Sequence, residues 1–247
     1  MLFLLMSVVA AVTAWADVSK TVPDVPRFKL FASSHSTAAA EVLAFHGVKE
    51  ELPQVVLIGG LEGRIYRCDC GKKIDLWDIA AGTRLWAAAE GLKVKTQALV
   101  SRGSPSPARG SAQAAAPATA GGPATGTAST AASGGEQNRL TFDHYRQTID
   151  AGQPVILTYS LDTASDKGMD ASFRSQERVS VVGIGYGESE SGRYILALLP
   201  QDASKDKRFE QLMALPGVKT GDKEGLLLVP WDIQTGNLIA TFVEVGD

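Results

Sequence analysis

The sequence predicts an α+β fold, and three observations carry that expectation. Helical periodicity gathers in the first half of the chain and strand-like runs in the second. The residues outside two nearly uncharged stretches have an ordinary globular charge content. No segment after the N-terminus is apolar for long enough to span a bilayer. The chain has 247 residues, 45% hydrophobic and 21% charged, with a net charge of -3. Setting aside residues 1–16 and 103–135 leaves a chain about 25% charged, long enough for one sizeable domain. Acidic and basic side chains interleave without a block of like charge, which argues against a nucleic-acid surface or a polybasic membrane patch.

Residues 1–16 are apolar and end in Ala14-Trp15-Ala16, the small-x-small form of a signal-peptidase site, and so read as a signal peptide. The expected location is then secreted or periplasmic, with no membrane span once the signal is removed. A buried N-terminal helix is the alternative for that run. Residues 17–102 form the N-terminal, mainly helical part. Ser36 to His46 carries Val42, Leu43 and Phe45 and stops at Gly47, with serines before it as caps. Gln54 to Ile58 and Gly63 to Cys70 read as extended, parted by Gly59-Gly60. Asp75 to Glu90 is a stronger helix, with Leu76, Ile79, Ala80, Thr83 and Trp86 near one stripe and Gly91 as its end. Leu92 to Leu99 follows as a strand.

Residues 103–135 contain 31 Ala, Gly, Pro, Ser or Thr in 33 positions, too little apolar surface to offset the entropy of ordering, and read as a disordered insert. Residues 136–247 form the β part. Thr141 caps a helix through Ile149 that Gly152 ends; strands follow at Pro154–Ser160, Val179–Tyr186, Tyr194–Leu199, Leu226–Val229 and Leu238–Val243, with a helix near Lys205–Leu215. Gly183-Ile-Gly-Tyr-Gly lacks the third glycine of a dinucleotide loop and precedes a strand rather than a helix, so it reads as part of a hairpin.

Cys68 and Cys70 stand one residue apart, poor geometry for a mutual bridge. Free thiols, a strained redox pair and half of a metal site all fit that spacing, the last needing imidazoles from His35, His46 or His144. The plainest reading is two small side chains on one face of a strand. No cofactor is expected.

The order of whole segments resembles the papain-like cysteine peptidases, closest to bacteriocin-processing, double-glycine-type peptidase domains. Ser34 to Gly47, ending Phe45-His46-Gly47, is similar to their nucleophile helix. Leu76 to Val94 with its Gly91-Leu92 turn is similar to their second helix, and Ile149 to Leu157, reading Ile-Asp-Ala-Gly-Gln-Pro-Val-Ile-Leu, to the opening of their β lobe. The strands Val179–Tyr186 and Tyr194–Leu199 complete a match over roughly residues 30–199 apart from the insert. The resemblance implies a two-lobe fold in which a thiolate at a helix N-terminus meets an imidazolium from the facing sheet. It puts Ser34 at the cysteine, Val179 at the histidine and Leu199 in place of the third residue, so all three catalytic groups are absent. A serine there needs a general base, and no histidine follows His144. Helix capping accounts for Ser34; His35 reads as a surface residue and His46 as a partner for terminal carbonyls.

The expectation is an exported peptidase-like domain without catalysis that binds or scaffolds a peptide or protein, holding an extended chain between the Ser34 helix and the Val179 strand by strand addition. The alternative is an active cysteine-dependent peptidase or redox protein using Cys68 or Cys70, with Cys70-Gly71 heading the Asp75–Glu90 helix. A third possibility is an envelope protein whose insert spans a gap.

Overall fold

A computed structural model describes residues 17–48, 51–66, 77–101, 139–161, 178–190, 192–221, 223–231 and 238–246. The proposed signal peptide, the insert, Cys68 and Cys70 lie outside them. The elements in chain order are β1 (Asp17–Thr21), α1 (Ser34–Phe45), α2 (Gln54–Ile65), α3 (Trp77–Ala89), β2 (Val94–Val100), α4 (Phe142–Asp150), β3 (Val155–Ser160), β4 (Arg178–Ser189), β5 (Gly192–Leu198), α5 (Lys207–Met213), β6 (Lys219–Thr220), β7 (Leu226–Pro230) and β8 (Ile239–Val245). The mixture of helices with one antiparallel sheet is α+β, as the sequence predicts.

The sheet runs β2-β8-β3-β4-β5-β7-β6, with β1 paired to the far half of β4. Period-two alternation sends its side chains into two cores. Ile156, Val182, Ile184, Leu196 and Leu228 meet α1, α2 and α3 on one face. Leu157, Tyr159, Val179, Val181 and Ile195 meet Phe142, Tyr145 and Ile149 of α4 and Phe209 and Leu212 of α5 on the other. Helices therefore cover both faces of the sheet, and residues 17–102 contribute β1 and β2 as well as three helices.

One local expectation is overturned. Gln54–Ile65 is a helix rather than two extended pieces. Leu57, Ile58, Leu61 and Ile65 are its buried residues, a spacing that lines one helical face. The glycines that read as a break serve close packing instead. A Cβ on Gly60 would stand 2.7 Å from Trp86 Nε1, and one on Gly82 would stand 2.7 Å from Ile65 Cα, so α2 and α3 approach through reciprocal notches. The helix-ending glycines Gly47, Gly91 and Gly152 take left-handed backbone, as read. Ser189 and Gly192 close the β4–β5 hairpin, while Gly185 sits where a Cβ would strike the Lys20 carbonyl of β1.

Candidate functional site

The head of α1 is the position that the sequence singles out, and its geometry starts from the cap. Ser33, rather than Ser34, is the N-cap: its Oγ accepts the Ser36 N–H at 3.2 Å and donates to Glu62 Oε2 at 2.6 Å. The Ser36 and Thr37 hydroxyls return to the Ser33 carbonyl. Ser34 becomes the first helical residue, and its side chain points down onto the sheet, where Oγ accepts the Ser180 N–H at 3.1 Å. That contact joins α1 to the start of β4.

Val179 does not face it. Strand alternation turns Val179 into the core beneath α4 and α5, and the next residue, Ser180, faces α1. Ser180 Oγ lies 2.5 Å from His35 Nδ1 and 2.7 Å from Thr158 Oγ1. His35 is therefore buried, at 4% exposure, and is not the surface residue that its sequence position suggests. Ser34 and Ser180 are at 0% and 1%. The α1 head and β4 are in direct contact, so among the described residues the space expected to hold an extended peptide is filled by these side chains.

Burial is the largest influence on His35, with the Arg208 and Arg178 guanidiniums adding to it and Asp206 opposing, and together they hold the imidazole down at about 4. At neutral pH the ring is uncharged. Tyr66, at the end of α2, stacks on it with centroids 6.0 Å apart, and burial pushes the Tyr66 phenol up. Asp206 caps α5 and grips Arg208 through both carboxylate oxygens, which lowers its own pKa and raises that of Arg208. The cluster is a neutral hydroxyl–imidazole joint with a charged rim of Glu62, Asp206 and Arg208.

No family model matches the chain, and no curated protein matches it.

The remaining residues named from the sequence are scattered. Leu199 is buried in the core under α4 and α5, its N–H donating to the Gly225 carbonyl and its carbonyl accepting Arg27 Nε at 2.7 Å. His46 ends α1, where partial burial lowers its pKa and its Nε2 has no hydrogen-bond partner, so it does not serve the terminal carbonyls with that nitrogen. His144 is exposed on α4, its N–H bonded to the Thr141 cap. Among the described residues no cluster of His, Cys, Asp and Glu could hold a metal, and no helix is long and apolar enough to cross a membrane. Sequence reading missed Ser180, Thr158, Tyr66, Asp206 and Arg208. A signal for Ser180 existed: it is the one hydroxyl in Val179-Ser-Val-Val, on the face opposite Val179.

Proposed function

We propose that this chain is an exported domain of papain-like architecture that binds a peptide or protein and does not cleave it. The observation that carries this reading is the Ser34–Ser180–His35 joint. The helix head and the start of β4 are in direct contact, and two buried hydroxyls and a neutral ring stand there where the resemblance would require a thiol and an accessible imidazolium. Ser34 is buried and His35 Nδ1 is bonded to the Ser180 hydroxyl rather than to Ser34, so the arrangement gives Ser34 no base with which to form a nucleophile. Export is supported by the signal-like run ending at Ala16, directly before β1 at Asp17, so its removal takes no described element. Binding would use the rim or a sheet edge rather than the filled α1–β4 junction.

One observation favours a second reading, a thiol enzyme. Tyr66, two positions before Cys68 in the sequence, is stacked on the His35 imidazole, while Cys68 and Cys70 themselves lie outside the described residues. Fluorescent casein and a randomised peptide pool test both readings on the full chain. The expected result is peptide binding by polarisation with no casein cleavage. Cleavage that disappears in Ser34→Ala overturns the binding reading, and cleavage that disappears in Cys68→Ala or Cys70→Ala establishes the thiol enzyme.

A further inference from the structure

α2 packs between α1 and α3, and its outward side is apolar where a solvated helix carries charge. At about 100° per residue, Val55, Gly59, Gly63 and Val56 fall within about 100° of arc. All four are exposed, Val56 at 53%, and a Cβ added to Gly59 or Gly63 would meet nothing. The two flanks of this face differ. Glu62 borders it beside Val55. Arg64 lies on the other side, between Gly60 and Ile65 around the helix, the residues that meet Trp86 and Gly82 of α3. Residues 29–33 run along the Glu62 flank: the Lys29 N–H donates to Gln54 Oε1 at 3.4 Å and the Ser33 hydroxyl to Glu62, with Phe31 between these ties at 62% exposure. α3 runs along the Arg64 flank, and its exposed Leu85 stands one turn after Gly82. Phe31, Val55, Val56 and Leu85 are the exposed large hydrophobics among the described residues, and all four lie on α2 or on the segments beside it.

We propose that this face binds a second copy of the chain, the two α2 helices lying parallel about a two-fold axis. Such an axis keeps each residue's height along the helix and sets either flank against the opposite flank of the partner. Glu62 and Arg64 are two positions apart, about 3 Å along the axis, so Glu62 meets Arg64 of the partner subunit. Phe31 stands level with the middle of α2 and Leu85 between the levels of Gly60 and Ile65, within about one helical turn of each other. Phe31 therefore meets Leu85 of the partner subunit, and both contacts are made twice. Val55 and Val56 pack on the low ground that Gly59 and Gly63 leave. An antiparallel pair sets each flank against its own copy, carboxylate side to carboxylate side, and loses the charge match. One face thus carries both members of each contact, which is the requirement of an isologous interface and selects a second copy over an unrelated partner. The dimer asks nothing of the Ser34 joint and does not depend on whether the chain binds a peptide.

Sedimentation equilibrium of the full chain from about 1 μM to about 1 mM tests it. The expected result is a reversible dimer whose association weakens at least about ten-fold in Val56→Asp and in Arg64→Glu, with far-ultraviolet circular dichroism unchanged. Combining Glu62→Arg with Arg64→Glu should restore association towards the native value, because the exchanged charges meet again across the axis. A single-chain mass at every concentration, a dimer indifferent to Val56→Asp, or a folded double variant no better than Arg64→Glu alone overturns the proposal. Should the double variant fail to fold, photo-crosslinking decides instead. With benzoylphenylalanine in place of Phe31 and a mixture of isotopically light and heavy chains, an adduct joining one copy to residues 81–89 of another supports the parallel dimer. An adduct on residues 1–16 or 103–135 of the same chain shows an internal cover for the face and refutes it.

Discussion

At the scale of the residue, two titratable groups on one helix are held in their neutral forms by the same cause, burial, which shifts an imidazole and a carboxyl in opposite directions. His35 is pushed down to about 4 from an ordinary 6.5, so folding requires it to shed a proton wherever the unfolded chain would hold one. Its contribution is present above pH 6.5 and is lost as pH falls through 4. Glu41 is raised from 4.5 to about 8, so its contribution is present below pH 4.5 and is lost as pH rises through 8. Between about 4.5 and 6.5 the two slopes cancel. Urea unfolding across pH should therefore show a plateau there, and a loss of about 2 kcal/mol from pH 6.5 to 8 that belongs to Glu41 alone. Glu41→Gln should remove the alkaline loss, and His35→Gln should remove the acid one. A native profile with its maximum above pH 8 would contradict both assignments. None of this was legible in the sequence, because Glu41 and His35 are ordinary helix residues until the packing around them is known.

At the scale of the element, most of the chain could be read from its pattern, and the failures share a physical cause. Capping and termination placed α1 and α4 to within a residue or two, since Thr141 and the glycines Gly47 and Gly152 act locally. In α2 the β-branched Val55, Val56 and Ile58 and the Gly59-Gly60 pair all point locally to strand and turn; tertiary packing against α3 overrides them. β1 and β6 escaped because each is short and depends on a distant partner, β4 or β7. The placing of Val179 opposite Ser34 missed by one residue, and in a strand one residue is the whole difference between the two faces. The α2–α3 interface gives a paired test. Gly59 has open space where a Cβ would go, so Gly59→Ala should stabilise by about 0.5–1 kcal/mol. Gly82→Ala drives a methyl into the Ile65 backbone and should cost about 1–3 kcal/mol. Thermal unfolding of the two variants measures the difference in sign; equal shifts would mean that the helices do not meet through Gly82.

At the scale of the whole molecule, an antiparallel sheet covered by α1–α3 on one face and by α4 and α5 on the other leaves the helix head and strand start in direct contact. That contact is a sealed seam whose polar groups satisfy one another, and its charged rim is the part that faces water. Chemical interrogation of the seam is the most direct measurement of the account. The full chain, treated at neutral pH with a serine-directed fluorophosphonate and analysed by peptide mass spectrometry, should carry no adduct on Ser34 or Ser180, even after prolonged exposure. A stoichiometric adduct on either serine that vanishes in His35→Ala would show an activated nucleophile and contradict it.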